Sequence, residues 1–323
     1  MKTMRLKNVG QIADANLAFG DLTVLIGPQA SGKSITLQWL KLLLDTGLIQ
    51  QQLHTYGLDY NGELPALLDV YFGEGMKAMW RADSEVQVDG KSIDVAKRMA
   101  RQQRDRRESV FLIPAQRVLA LPEGWPKPFQ SYRPGDPYSV RAFSEHLRML
   151  MEREFTGVGP LFPKSNRLKT EYRELLQQSV FANFKLSVDR VQSQKRLVLD
   201  AGAGNLPFMV WSAGQREFVP LLLGLYWLMP PSKVAKRGDV QWVIIEELEM
   251  GLHPRAISAV LLIVLELITR GYKVCLSTHS PQVLSRVPRE AVLLLSRFQV
   301  VTRVPFTEGR DSNAILSELM GVP

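Results

Sequence analysis

The segment GPQASGKS at residues 27–34 has the chemistry to bind the phosphates of a nucleotide. It fits the pattern G-x-x-x-x-G-K-S, the P-loop, in which glycines let the backbone wrap around phosphates and present successive N–H groups. The lysine reaches the terminal phosphates, the serine hydroxyl is a ligand for Mg²⁺, and the following helix N-terminus adds a partial positive charge. The pattern predicts an ATP site formed by five residues, the last of which also binds Mg²⁺: Gly27, Ser31, Gly32, Lys33 and Ser34.

Two adjacent carboxylates, Glu246 and Glu247, follow four apolar residues at 242–245. The apolar run predicts a buried strand, and paired carboxylates at the end of a buried strand are costly without a cation nearby. With a P-loop upstream, we expect Glu246 to hold Mg²⁺ through water and Glu247 to orient or deprotonate an attacking water molecule. The alternative is a solvated acidic turn.

Two further segments could complete a phosphate site. SAGQRE at residues 212–217 opens an apolar helix, and Ser212 is a suitable N-cap. LSTHSP at residues 276–281 follows an apolar strand, and His279 lies one strand–helix–strand unit after Glu247. Parallel strands of such a unit end at the same edge of the sheet, where ligands bind in α/β proteins. The alternatives are a plain helix cap for Ser212 and a structural role for His279.

The hydrophobic pattern predicts an α/β protein in which these segments connect strands to helices. The expected strands of the two ends of the chain are 4–9, 13–19, 22–26, 110–113, 241–245, 273–277 and 291–295. The expected helices are one after Ser34 and those at 138–154, 167–181, 214–229, 255–269 and 281–286. A hairpin turn is expected at 89–90, and strands at 185–191 and 196–199. We divide the chain into an N-terminal lobe (1–115), a helical insertion (116–207) and a section completing the core (208–323).

Composition excludes several classes of protein. The 323 residues are 46% hydrophobic and 22% charged, which is ordinary for a globular protein. A single cysteine, Cys275, excludes a disulfide framework and a cysteine-based zinc site. The most apolar stretches, 218–229 and 256–268, are too short to span a membrane, and no secretory signal is visible. We therefore expect a cytoplasmic protein with no membrane partner.

Positive charge is concentrated in one segment. The net charge of +8 favours an anionic partner, and six basic residues lie within residues 97–107. On a helix, positions 97, 101 and 104 would share one face and could follow a nucleic-acid backbone. A solvated helix face is an equal alternative. The proline-rich residues 114–163 could dock a partner, or they belong to an ordinary helical subdomain.

Four motifs resemble, in the same order, those of ATP-binding-cassette (ABC) type ATPases: the P-loop, SAGQ, the paired acids followed by GLHP, and THS. The particular residues within these motifs are similar to those of the branch that contains the RecF, SMC and OLD-like ATPases. The resemblance implies a P-loop NTPase with a two-lobed ABC-ATPase head, a mixed sheet core and a helical subdomain. It also implies that Ser212, Gly214 and Gln215 bind the γ-phosphate held by a second subunit, that Glu247 is the catalytic base, and that His279 senses the γ-phosphate.

The resemblance also implies roles for Gln116 and for residues 250–253, and this sequence departs from the family at two positions. It implies that Gln116, in IPAQR, touches Mg²⁺ and the attacking water, although Gln116 could equally lack a role. It places residues 250–253 at a dimer interface. Glu246 replaces the usual aspartate and Leu248 the usual proline, so the rate of hydrolysis is open. We expect no long coiled coil and no nuclease domain, because about 40 residues follow His279.

These observations predict an ATPase that uses ATP and Mg²⁺ and forms a homodimer when ATP binds. It would act on DNA or on a separate effector protein in genome maintenance or anti-phage defence. One alternative is the nucleotide-binding subunit of a transporter. The basic segment and the residues STHSP argue against this alternative. The other is a non-hydrolysing, nucleotide-gated scaffold, which the unusual Glu246 favours.

Overall fold

The computed structural model describes residues 1–163, 167–182, 184–230, 236–295 and 300–301. Within these ranges the strands are β1 (Thr3–Val9), β2 (Ile12–Ala18), β3 (Leu22–Ile26), β4 (Trp80–Val88), β5 (Lys91–Ile93), β6 (Val110–Ile113), β7 (Gly159–Phe162), β8 (Lys185–Val191), β9 (Gln194–Asp200), β10 (Asn205–Pro207), β11 (Trp242–Ile245), β12 (Lys273–Ser277), β13 (Val292–Leu295) and β14 (Val300–Val301). The α-helices are α1 (Lys33–Leu44), α2 (Thr46–Thr55), α3 (Leu64–Phe72), α4 (Val95–Ala100), α5 (Tyr138–Arg153), α6 (Thr170–Leu176), α7 (Ala213–Leu228), α8 (Pro254–Thr269) and α9 (Pro281–Leu284).

A mostly parallel sheet with the strand order β14-β13-β3-β12-β11-β6 forms the core. The strands β13, β3, β12, β11 and β6 pair in parallel, and β14 is antiparallel to β13. β6 and β11 are buried at every residue, because a parallel sheet is covered by other elements on both faces. The predicted core strands are therefore confirmed, and the P-loop follows a strand inside the sheet.

Two antiparallel sheets accompany the core. The first has the order β2-β1-β4-β5 and contains the predicted hairpin at Asp89–Gly90. The second has the order β10-β9-β8-β7 and lies within residues 116–207. This middle section thus carries a four-stranded sheet besides α5 and α6. The predicted helix at 167–181 is α6 followed by a π-helical turn, Gln177–Phe181.

The predicted helical face of the basic segment is wrong. Helix α4 ends at Ala100, and the residues that follow are irregular up to β6, so three basic residues do not align: Lys97, Arg101 and Arg104. The cause is a side chain from α2: the Gln50 amide donates to the carbonyls of Met99 and Arg101 and accepts from the Gln103 N–H. These bonds replace the next helical turn.

Among the described residues, no helix is both long and apolar enough to cross a membrane. Residues 302–323, part of the predicted third section, lie outside the described ranges.

A buried carboxylate joins α1, which begins at the P-loop, to the core sheet. Asp45 is 2% exposed and lies between α1 and α2. It accepts hydrogen bonds from the Ser109 and Val110 N–H groups at 2.9 and 3.1 Å and pairs with Lys41 Nζ at 3.0 Å. Without Asp45, two N–H groups and an ammonium would lose a partner inside the core.

Asp45→Ala should therefore lower the free energy of unfolding by about 3–5 kcal/mol, as measured by urea denaturation. Glu152→Ala is the control, because Glu152 is half exposed and pairs with Arg148 on the surface of α5. That change should cost about 0.5 kcal/mol or less. A loss for Asp45→Ala no larger than the loss for the control would contradict the role assigned to Asp45.

Candidate nucleotide-binding site

The P-loop connects β3 to α1 through backbone conformations that require small residues. Gly27 and Gly32 have φ angles of 145° and 96°. A Cβ on Gly27 would lie 2.0 Å from the Leu295 carbonyl oxygen of β13, and one on Gly32 would lie 2.6 Å from Ile12 Cγ1. Both glycines are therefore required by close packing as well as by φ.

The N-terminus of α1 is open to an anion. Gly32 is its N-cap, and within the described chain no side chain caps this end and no acidic residue occupies its first turn. The first N–H groups of a helix need partners from outside the helix, and a phosphate is a suitable partner. This end of α1 therefore fits the phosphates of a nucleotide.

Lys33 is folded back onto the loop that it would use. Its Nζ donates to the carbonyls of Gly27 at 3.0 Å and Pro28 at 2.9 Å. Burial lowers the pKa of the Lys33 ammonium to about 8, although the carboxylates of Glu247 and Glu249 oppose this shift. A phosphate that binds here would pair with a cation already placed at the loop, and its negative charge would raise the pKa of Lys33 back toward the usual value.

One pocket brings three predicted segments together. It is lined by residues 29–35 of the P-loop, by Glu247, by His279 and by Gln11 from the turn before β2. Because β3, β11 and β12 are parallel neighbours, the segments that follow them meet at one edge of the sheet. A carboxylate and an imidazole thus face the loop that would hold the phosphates.

Glu247 has a strained backbone that its neighbours hold in place. Its φ is 44°, which for a non-glycine residue costs on the order of 1–3 kcal/mol. The Glu247 N–H donates to Ser277 Oγ at 3.0 Å, and its carbonyl accepts from the Arg117 guanidinium. Such strain is retained where the surrounding structure fixes the residue, as at functional sites.

Glu249 positions the segment that carries His279, a role that the sequence analysis missed. Its carboxylate accepts from the Thr278 hydroxyl at 2.8 Å and from the His279 N–H at 2.5 Å. Burial and the Lys33 charge lower the pKa of His279. A neutral imidazole can donate an N–H hydrogen bond to a phosphate oxygen. The signal in the sequence was a third acid in EELE.

Glu246 lies behind the pocket rather than on its wall. It is fully buried, and its oxygens accept from Gln38 Nε2 at 3.1 Å and the Ala115 N–H at 3.0 Å. Burial raises the pKa of Glu246 to about 7. A buried carboxylate with two neutral donors fits the neighbourhood of a cation, because it has no full positive partner in hydrogen-bond contact.

The residues present could hold Mg²⁺ only if a bound nucleotide supplied further ligands from its phosphate oxygens. Among the described residues no group of three or more histidine, cysteine, aspartate or glutamate side chains could hold a metal. Mg²⁺ typically takes one or two protein groups and completes its shell with phosphate oxygens and water. Ser34, which lines the pocket, and Glu246 would be those groups.

The SAGQ residues lie in a different pocket. Ser212 and Gln215 form a reciprocal capping box at the start of α7, and Ser212 is exposed. Together with Gly214 they line a pocket with residues 251–253, which shares no lining residue with the P-loop pocket. A Cβ on Gly214 would lie 2.7 Å from the Gly251 carbonyl oxygen. The start of α7 therefore packs directly on the turn that follows Glu247.

Gln116 reaches neither of these two pockets. It is exposed, and the neighbouring Arg117 is fully buried. The structure does not bring Gln116 to the P-loop, to Glu247 or to His279 as a lining residue. The buried charged member of IPAQR is the arginine, to which no motif of the sequence pointed.

Nucleotide affinity should depend on pH through Lys33. The protonated ammonium pairs with phosphate, and the pKa of about 8 in the free protein means that the charge is lost as pH rises past that value. ATP affinity, measured by fluorescence titration, should be constant up to about pH 7.5 and then fall by up to ~tenfold per pH unit. Lys33→Ala should abolish tight binding at every pH. Unchanged wild-type affinity at pH 9.5, or tight binding by the variant, would contradict this assignment.

Residues 157–285 match the family model described as "AAA domain, putative AbiEii toxin, Type IV TA system". That range includes SAGQ, the paired acids and His279 but not the P-loop, and it is less than half of the chain. No curated protein matches the sequence.

Several solved structures are similar over most of the chain. An ATP-binding subunit of an ABC transporter is 16% identical over 98% of this chain and 99% of its own, with a TM-score of 0.44. An SMC head bound to the C-terminal winged-helix domain of ScpA is 10% identical over 86% and 88%, with a TM-score of 0.44. A dimeric bacterial ABC transporter cassette is 14% identical over 94% and 100%, with a TM-score of 0.43. With a P-loop between β3 and α1 and a mostly parallel core sheet, the chain has the α/β fold of a P-loop NTPase.

Proposed function

We propose that the protein is an ATPase that binds Mg²⁺-ATP, dimerises around two ATP molecules and hydrolyses them. The observation that carries this proposal is the pocket in which the P-loop, Glu247 and His279 meet. A phosphate-binding loop, a carboxylate and an imidazole at one edge of a parallel sheet are the groups that phosphoryl transfer to water requires.

Each side chain has a role that follows from its position. Lys33 and the open end of α1 bind the phosphates. Ser34 and Glu246 would hold Mg²⁺, which would neutralise charge on the phosphate oxygens. Glu247 orients the attacking water and accepts its proton. Its backbone is held by the hydrogen bond that its N–H donates to Ser277 and by those that its carbonyl accepts from Arg117. His279 contacts the γ-phosphate and stabilises the charge that redistributes there during the reaction.

We infer that a second copy of the chain takes part because the SAGQ residues do not line the P-loop pocket of the same chain. Ser212 is exposed and offers a hydroxyl at a helix N-terminus, which suits the open face of a γ-phosphate. A two-fold dimer would place Ser212, Gly214 and Gln215 of each copy on the nucleotide of the other. The resemblance to ABC-type ATPases supports this arrangement.

The target of the ATPase is DNA or a separate effector protein, in genome maintenance or anti-phage defence in the cytoplasm. The description of the matched family names a toxin of a type IV TA system, which supports an effector role. The residues within the motifs favour the RecF, SMC and OLD-like branch over a transporter subunit. A non-hydrolysing scaffold is the second candidate, because burial keeps the pKa of Glu246 at about 7, so its charge is not secure at neutral pH. Phosphate release at steady state separates the two.

Glu247→Gln should keep the shape of the site and remove the base, so kcat should fall by ~10²–10⁴. ATP would then persist, and light scattering with Mg²⁺-ATP should show a stable dimer. Adding Ser212→Arg places a bulky cation where the partner's γ-phosphate would lie and should return the protein to a monomer.

The control is Ser92→Arg in the same background, because Ser92 is an exposed serine on β5 in another sheet. It should leave the dimer intact. A monomer in all three variants, or a dimer indifferent to nucleotide and to position 212, would refute the composite site.

DNA binding, where it occurs, should depend on the basic segment and on salt. The irregular residues after α4 expose Arg101, Arg104 and Arg106, whereas Arg107 is paired with Asp105 at 2.9 Å. Replacing the three exposed arginines by glutamate should weaken binding more than tenfold and reduce the salt slope by about 3.

A matched variant makes the same charge change elsewhere, at Lys91, Arg153 and Arg190, which are exposed on other elements. It should retain most of the affinity in a fluorescence-anisotropy titration against salt. Equal losses in both variants would show that the net charge of the protein, and not this segment, sets its affinity for DNA.

A further inference from the structure

Arg117 is a fully buried arginine whose guanidinium donates hydrogen bonds to the turn around Glu247 and to helix α7. It lies in a 3₁₀ turn, Arg117–Ala120, just after β6, and it is 0% exposed. Burial lowers the pKa of Arg117, and a buried cation is tolerated only where its donors find acceptors. Those acceptors indicate what the residue holds in place.

The acceptors are backbone carbonyls from two distant parts of the chain. Nη1 donates to the Glu246 and Glu247 carbonyls at 3.1 and 3.2 Å, and Nη2 donates to the Glu247 and Met250 carbonyls at 3.3 Å each. Nε donates to the Glu217 carbonyl of α7 at 3.1 Å. The Glu217 carboxylate lies 3.8 Å away and balances the charge.

This set of contacts fixes the strained turn at Glu247. The carbonyl of Glu247 receives two of the five hydrogen bonds, and its N–H is bound by Ser277. With both backbone groups held, the side chain has a defined direction into the P-loop pocket. A planar guanidinium can satisfy several carbonyls at once, which a lysine ammonium cannot do with the same geometry.

The same guanidinium also ties this turn to the helix that begins with SAGQ. Glu217 lies one turn after Gly214 on α7, and Gly214 packs against Gly251 of the turn. The two pockets of one chain are therefore joined through Arg117: one would hold the chain's own ATP, and the other would contact the ATP of a partner.

We propose that Arg117 is a positioning residue that holds Glu247 for hydrolysis and joins the SAGQ helix to the Glu247 turn, so that dimer formation and hydrolysis are coupled. The inference rests on the proposed function, since it assigns Arg117 to the use of Glu247 as a base. Arg117 itself does not touch the nucleotide pocket.

The test compares Arg117→Lys with Arg141→Lys. Arg141 is an equally buried arginine on α5 that donates to the carbonyls of Asp136 and Arg133, away from both pockets. Arg117→Lys should lower kcat by ~10–100-fold while ATP affinity changes by about twofold or less, because misplacing a catalytic group by about 1 Å costs rate rather than binding. Arg141→Lys should change thermal stability but leave kcat within about twofold.

Two further measurements do not depend on turnover. Hydrogen exchange of the amides in residues 246–252 should accelerate in Arg117→Lys and not in Arg141→Lys. In the Glu247→Gln background, Arg117→Lys should raise the dimer dissociation constant at saturating ATP by about tenfold. Should Arg117→Lys fail to fold, Glu217→Gln removes the balancing carboxylate and should produce a smaller effect in the same direction.

The outcomes separate this inference from the proposed function. A wild-type protein without ATP turnover would contradict the proposed function, whatever the exchange data show. Normal wild-type turnover, with Arg117→Lys no slower than Arg141→Lys and with unchanged exchange in residues 246–252, would overturn the role of Arg117 alone.

Discussion

The in-register parallel pairing of β3, β12 and β11 is the constraint on which the candidate site depends. Ile245 of β11 pairs with Leu276 of β12, and Leu276 pairs with Val24 of β3. The three strands therefore end nearly level, and each is followed by a segment that lines the P-loop pocket. Since parallel strands need a crossover between them, three segments that are far apart in the chain converge at one edge. The P-loop, the paired acids and the segment of His279 meet for this reason.

Level strand ends also place charged groups next to the core, and three of these groups have hydrogen-bond partners there: Glu246, Glu249 and Arg117. Glu246 accepts from Gln38 and from Ala115, and Glu249 accepts from the segment of His279. Arg117 donates to the carbonyls of the same turn. Buried polar groups are expensive unless they are hydrogen-bonded, so these bonds both stabilise the edge and orient its side chains. Stability and geometry of the site thus depend on the same contacts.

The separation of the two pockets explains why the proposed activity needs two copies. Gly214 and Gly251 approach each other closely, so the SAGQ end of α7 packs directly on the turn after Glu247. It also does not line the P-loop pocket of its own chain. In the proposed function the two pockets would be halves of one site, and a two-fold assembly would bring the halves of two copies together.

The sequence by itself determined the local elements and the motifs that connect them. The run 242–245 and the pattern of residues 27–34 predict a buried strand and a phosphate loop without reference to any distant residue, because strand and loop propensities are local. The capping box of Ser212 and Gln215 is likewise a contact between residues three positions apart. These features agree with the structure.

Only the tertiary structure decided the remaining features, because their partners are distant in the chain. Gln50 ends α4 early and leaves the basic segment irregular, which no helical periodicity within 97–107 could show. Glu249 binds His279 across 30 positions, and Arg117 binds Glu247 across 130. Local sequence patterns do not encode which distant backbone carbonyl a buried side chain will meet, since chain topology sets those contacts.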